Sequence, residues 1–394
     1  MKKHHALLKP KNIILTIILI AILAAIYHLE STKAGPSSPD NENDSQTNED
    51  GLTPLQQWED SLTEQDRARI AQKQNLFPQS PELTGISGYL NAKEGLQVSD
   101  FRGKVVLVDF WTYTCINCIR TLPYLTEWDR KYRDDGLVII GVHTPEFEFE
   151  KEYANVRMAM DKYGLEYRVV QDNDYATWRA FKNRYWPRKY LVDADGFIRY
   201  DHIGEGGYTQ TEKVIQDLLI EQGVRLDNMT TTQIIDNTPK QKLTPELYAG
   251  YGFALPRGQN IGNTGGLKPE EDSFYSLAIK LAKDVIYLEG EWRSEKDGLL
   301  GLENGSRVYL VYTAKSVNIV ADAEEPVRLL VVREGKPIPK ESAGYDIEYD
   351  SEGKSYILVD EPRLYNILNG EYESKILALT ADTPGFSFNA FTFG

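Results

Sequence analysis

The segment Val105-Val106-Leu107-Val108-Asp109-Phe110-Trp111 is apolar at every position but one. A strand with water on one face alternates polar and apolar residues, so this continuous run belongs in a sheet covered on both faces. Such a strand needs helices on either side, and the neighbouring pattern supplies them. Ile119, Leu122, Leu125, Trp128 and Tyr132 recur at helical spacing. Leu137 to Val142 reads as a second buried strand, Glu150 to Tyr163 as a helix, Tyr167 to Val170 as a short strand and Tyr175 to Phe181 as a helix. Lys189 to Val192 and Phe197 to Tyr200 read as a hairpin across Asp193-Ala194-Asp195-Gly196. Thr209 is expected to cap a last helix reaching Glu221. Residues 78–225 are thus expected to form an α/β domain.

Directly after this strand stand the only two cysteines of the chain, in Cys115-Ile116-Asn117-Cys118. Thiols this close share one turn of helix, and a disulfide between them encloses too little chain to stabilise a fold. A zinc site wants four ligands, and no second C-x-x-C accompanies the pair. The two sulfurs are therefore read as a redox dithiol, needing no cofactor and no metal. At a strand-to-helix turn Cys115 meets the unpaired N–H groups and dipole of the helix N-terminus, which favour a thiolate and are expected to lower its pKa. Cys115 would attack a substrate disulfide and Cys118 would resolve the mixed disulfide. Asp109 could take a proton from Cys118, although a lone strand acid is often satisfied structurally. Trp111 is expected beside the site, and His143 reads as a strand-end residue with a structural hydrogen bond.

Around this domain the character changes. Lys2, Lys3, Lys9 and Lys11 precede an apolar run over residues 13–29. As a helix the run is about 22–25 Å long, close to the hydrocarbon thickness once lysines snorkel. It is read as an uncleaved single-pass anchor over residues 1–30, against the rival of a cleaved signal peptide; either exports the rest of the chain. Residues 31–77 read as a flexible acidic stalk with a short helix from Glu64 to Leu76. After a linker over 226–245, residues 246–394 carry about eight β-rich segments separated by turn residues, as in a sandwich or jelly roll. Those segments include Arg307–Tyr312, Val317–Ala321, Arg363–Leu368 and Lys375–Leu379. Tyr251, Phe253, Tyr275 and Trp292 could stack on sugar rings, although such residues more often fill a sandwich core. The formal charge of -15 argues against nucleic acid as a partner.

The run Gly103 to Cys118 resembles the active-site segment of thioredoxin-fold proteins. Pro123 resembles the proline that kinks their active-site helix, and Trp186-Pro187 resembles their cis-proline, which sets a backbone edge for substrate beside the attacking sulfur. Trp111-Thr112-Tyr113-Thr114-Cys115-Ile116-Asn117-Cys118-Ile119-Arg120-Thr121-Leu122-Pro123, Gly141 to Glu150 and Gln171 to Trp178 are similar to the thioredoxin-like domain of bacterial DipZ proteins. The likeness continues to Phe391-Thr392-Phe393-Gly394, and in that family the C-terminal β-domain resembles a carbohydrate-binding module. It implies a membrane-anchored, extracytoplasmic thiol–disulfide oxidoreductase, inclined to reduction, acting on disulfides of exported proteins. The alternative is a cell-wall or glycan-binding protein in which the β-sandwich domain is the main functional module and the redox domain a passenger. DipZ proteins also carry a polytopic membrane domain. At most one span is expected here, so a separate membrane electron donor of the CcdA/DsbD type is implied. Thr121 stands where cytochrome-maturation relatives of the ResA type carry glutamate, and Val108 where peroxiredoxins would have proline.

Overall fold

The computed structural model describes residues 52–226 and 229–394. The expected anchor over residues 13–29 lies outside them, and among the described residues no helix is long and apolar enough to cross a membrane. The first helices are α1 (Pro54–Ser61) and α2 (Glu64–Gln74), each opened by a capping box, from Thr53 to Gln56 and from Thr63 to Asp66. The helix expected from Glu64 to Leu76 is present as α2, and α1 before it is unexpected. Charge pairing holds α2 in place: Lys73 Nζ lies 2.7 Å from both Asp193 and Asp195, and Arg69 2.9 Å from Asp195, tying α2 to a hairpin of the next domain.

That domain is built on a six-stranded sheet in the order β1 (Gly88–Leu90), β4 (Arg168–Gln171), β3 (Leu137–His143), β2 (Val105–Trp111), β5 (Arg188–Val192), β6 (Ile198–Ile203). β2, β3 and β4 run parallel, and β5 joins antiparallel to β2. Every residue of β2 and β3 is buried. The period of two sorts β2 between two cores. Val105, Leu107 and Trp111 meet Leu122, Leu125 and Trp128 of α3 (Ile116–Tyr132) and Ile215 and Leu219 of α6 (Tyr208–Glu221). Val106, Val108 and Phe110 face Phe101, Phe181 and Tyr190 on the other side. The order, with its central parallel strands and terminal antiparallel hairpin, is thioredoxin-like. Between the strands lie α4 (Tyr153–Tyr163) and α5 (Ala176–Ala180). The expected cap at Thr209 is not used: α6 begins at Tyr208, after Gly207 at φ 60°. A glycine in the left-handed region turns the chain into the helix there, leaving Thr209 inside the first turn.

The C-terminal region is all-β. Eleven strands form one hydrogen-bonded system: β7 (Leu247–Tyr248), β8 (Asp272–Tyr275), β9 (Ile286–Ser294), β10 (Leu299–Gly301), β11 (Arg307–Ala323), β12 (Val327–Arg333), β13 (Lys336–Pro337), β14 (Glu348–Tyr349), β15 (Ser355–Val359), β16 (Arg363–Ala381) and β17 (Phe386–Phe393). One half of β11 pairs with β9 and the other with β17, while β10 joins β9 to β17, so this part of the sheet closes on itself. Segments expected as separate strands are continuous: Arg307–Tyr312 with Val317–Ala321 in β11, and Arg363–Leu368 with Lys375–Leu379 in β16. Register shifts at Ala314/Ser316 and Val317/Asn318 absorb the polar residues that looked like turns. Trp292 and Tyr275, considered for sugar stacking, are core residues.

The two domains share a core. Before β7 runs the helix-free connection 229–245, where Thr232 N donates to Glu212 and the Tyr124 hydroxyl to the Ile234 carbonyl. Beyond β7, Tyr251–Ala254 forms a single turn, α7. Phe147, on the loop after β3, is buried among the β-domain's residues, with ring centroids 6.4 Å from Tyr248 and 6.1 Å from Phe253. Tyr113 donates to the Pro362 carbonyl, and Glu148 N to Asp297. Removing a buried phenyl typically costs about 3–5 kcal/mol. Phe147→Ala is therefore expected to lower the denaturation midpoint and to separate one calorimetric transition into two, one per domain; a single unshifted transition would contradict the shared core.

Candidate active site

Cys115 is the N-cap of α3, and its Sγ accepts a hydrogen bond from Cys118 N at 3.2 Å. Neither sulfur is engaged in a disulfide. Cys115 is 6% exposed and Cys118 1%, so the first sulfur is the one open to a partner. The helix-terminal donor that favours a thiolate is in place, yet the direction of the pKa is the opposite of the one expected. Burial pushes the Cys115 thiol well up, and its bond with Cys118 and the Glu146 and Glu246 carboxyls push the same way. Burial likewise raises Cys118, with Asp109 and Glu146 adding to it. A dithiol so placed loses protons only if a neighbour accepts them.

Asp109 lies on the same face of β2 as Trp111, and the antiparallel register sets Lys189 of β5 directly opposite it. Both side chains are 1% exposed, with Lys189 Nζ 3.9 Å from Asp109 Oδ1, and these two atoms have no hydrogen-bond partner among the described residues. Burial pushes the Asp109 carboxyl up to about 7 against the pull of Lys189, and burial lowers Lys189. Gly141 flanks Asp109 on β3, where a side chain would come within 2.9 Å of the Trp111 indole nitrogen. Trp111 is fully buried in the core that holds both cysteines, edge-on to His143 at 5.2 Å. His143 meets the Thr112 hydroxyl at 3.3 Å, and burial pushes it down to about 3, leaving it neutral. Trp186-Pro187 is cis, and the Trp186 indole donates to the Thr144 carbonyl at 3.1 Å. Thr121 donates to the Asn117 carbonyl, a helix-internal role.

The chain before the dithiol is held by Glu150. Its carboxylate accepts from Thr114 Oγ1 at 2.6 Å, from Thr114 N at 3.3 Å, and from Glu146 N and Phe147 N at 2.5 and 3.0 Å. The four donors favour its ionised form, but burial outweighs them and raises its carboxyl. Arg120 binds Glu205 at 2.6 Å and Asn117 at 2.6 Å, fixing the first turn of α3. Cys115 opens to a cavity of about 320 Å³, lined on one side by Asn117, Glu146 and Trp186 and on the other by Glu246, Tyr248 and Arg257 of the β-domain.

In the sequence Glu146 stands out only through a family likeness, Glu150 only through that likeness and as the start of an expected helix, and Lys189 only as a strand residue. Lys189 was findable: a lysine in a buried strand beside a strand bearing an acid suggests a pair. Glu246, Tyr248 and Arg257 carried no such signal, because more than a hundred residues separate them from the cysteines.

Comparison with known proteins agrees with this geometry. Residues 81–219 match the Redoxin family and residues 244–394 the family described as Thioredoxin like C-terminal domain. Protein DipZ of Mycobacterium tuberculosis (strain CDC 1551 / Oshkosh) is 41% identical over 262 residues, 66% of this chain and 37% of that protein. The chain thus spans little more than a third of that relative. Thiol-disulfide oxidoreductase YkuV of Bacillus subtilis (strain 168) is 30% identical over 141 residues, 36% of this chain and 94% of YkuV. Thiol-disulfide oxidoreductase ResA of Bacillus thuringiensis (strain Al Hakam) is 27% identical over 123 residues, 31% of this chain and 68% of ResA.

The pH dependence of stability follows from Asp109. Its pKa is raised in the fold, so the folded state holds a proton that the unfolded chain gives up above about 4, and stability falls as pH rises towards about 7. Between pH 5 and 8 that loss is about 2–3 kcal/mol. Asp109→Asn should remove it, gaining on the unsubstituted chain as pH rises; urea denaturation at the two pH values checks this, and parallel curves would contradict it.

Proposed function

Because this chain belongs to the thioredoxin-like family of thiol–disulfide oxidoreductases, we propose that it works outside the cytoplasm as a membrane-anchored protein-disulfide reductase. The observation that carries the chemistry is the placement of Cys115 at the N-cap of α3, with its sulfur facing a cavity and Cys118 one turn behind. Cys115 attacks one sulfur of a substrate disulfide, the other leaves as a thiol, and Cys118 attacks Cys115 to release the reduced substrate. Asp109, raised into the neutral range on the face that holds Cys118, accepts the Cys118 proton. Pro187 and Trp186 present backbone beside the cavity for an extended peptide.

The apolar run over residues 13–29 and its lysine flank support the anchor and the extracytoplasmic location. Reduction then calls for an electron donor in the membrane, of the CcdA/DsbD type. Glycan binding by the β-domain, read as a sandwich, has weaker support than the sequence suggested, because Tyr275 and Trp292 are core residues.

Cys118→Ser is expected to trap substrate proteins as mixed disulfides on Cys115, while Cys115→Ser abolishes insulin reduction. An unsubstituted chain that turns over insulin while Cys118→Ser accumulates no adduct would reverse the assigned roles. The direction of electron flow is read from the equilibrium potential against glutathione: a value near about -270 mV fits reduction, and one near about -120 mV an oxidant.

A further inference from the structure

Tyr248 of β7 stands between two carboxyl groups. Its hydroxyl oxygen lies 2.7 Å from Glu146 Oε1 and 3.0 Å from Glu246 Oε2. A phenol has one proton to donate, so two ionised carboxylates cannot both be satisfied; one contact must run from a protonated carboxyl to the phenol oxygen. Glu146 is 7% exposed and Glu246 half-buried, and like charges bridged by one phenol disfavour each other's ionisation. The surroundings do not dissolve the conflict. Glu150 faces Glu146 as a further acid that pushes its carboxyl up, Tyr175 faces it from the start of α5, and the two thiols add no positive charge. Arg257, 4.5 Å over the Tyr248 ring, supplies one positive charge, and Arg184 lies at the cavity edge. All three members of the group line the cavity that Cys115 faces.

We propose that Glu146 and Glu246, bridged by Tyr248, hold one transferable proton for Cys115, so that the β-domain supplies half of the acid–base group of the active site. The inference rests on the dithiol reading above. As the Cys115 sulfur bonds to a substrate sulfur, its proton passes to the ionised carboxyl, and the proton held by the pair goes to the departing substrate thiolate. When Cys118 attacks Cys115, its own proton passes to Asp109 and on to solvent. The proton then held by the pair goes to the second substrate sulfur, which departs as a thiol, and the pair takes up one proton from solvent to restore its starting state. Two electrons and two protons move from the dithiol to the disulfide. Glu146 and Glu246 share the proton-carrying role and Tyr248 is the positioning residue; with Glu246 replaced, Glu146 ionises, so it still takes the Cys115 proton but has none to give.

A departing sulfur needs a proton only when its thiol is weakly acidic. The full-length reduced chain is therefore reacted, in single turnovers, with an aryl disulfide and with a dialkyl disulfide. Glu246→Gln is expected to slow the dialkyl reaction about tenfold or more while changing the aryl reaction less than about twofold. Glu246→Asp should restore the dialkyl rate. If Glu246→Gln does not fold, Tyr248→Phe read in the same way keeps the test. Equal slowing of both reactions, or no change in either, overturns the proposal while leaving the dithiol reading intact. Failure of that reading would show separately, as absence of reaction with either disulfide in the unsubstituted chain.

Discussion

No residue of β2 reaches water, and the chemistry of this protein follows from that. A charge on or beside a strand covered on both faces must be neutralised from within the protein or lose its ionisation. His143, at the end of the adjacent strand, stays neutral. Burial raises the Asp109 carboxyl to about 7, with Lys189 opposite pulling it back. The thiols at the end of the same strand are pushed towards the protonated form despite the helix terminus above them. The helix terminus favours the Cys115 thiolate, and burial acts on the same sulfur in the opposite direction.

This balance changes what the second domain is for. A β-domain tethered to a redox domain could be a passenger, but here it closes the far side of the cavity and shares a core through Phe147. The loop carrying Phe147 also carries Glu146 and Glu150. Glu150 fixes Thr114, the residue before Cys115, and Glu146 reaches across to Tyr248. A short stretch of chain therefore couples the position of the attacking sulfur to the seating of the β-domain.

Much of the α/β fold could be read from the chain. The apolar run over β2, the helical spacing of α3 and the Asp-Gly turn between β5 and β6 each carry local signals strong enough to survive tertiary packing. Readings weakened where a local signal had a competitor. Thr209 looked like a cap, but Gly207 provided the turn by backbone geometry alone. Polar residues inside β11 and β16 looked like turns, but bulges carried both strands through them. Aromatics that looked like a sugar platform were needed to fill a core, since a side chain's type does not say which face of a closed sheet it occupies.

The sequence by itself determined the dithiol, its place at a strand-to-helix turn, the acid on the buried strand and the family to which these belong, because all are properties of neighbouring residues. Only the tertiary structure decided the protonation setting of that dithiol. Lys189 meets Asp109 through strand register, and Glu246, Tyr248 and Arg257 meet Cys115 through the docking of a second domain. Burial and long-range pairing set a pKa, and neither is written in the spacing of residues along the chain.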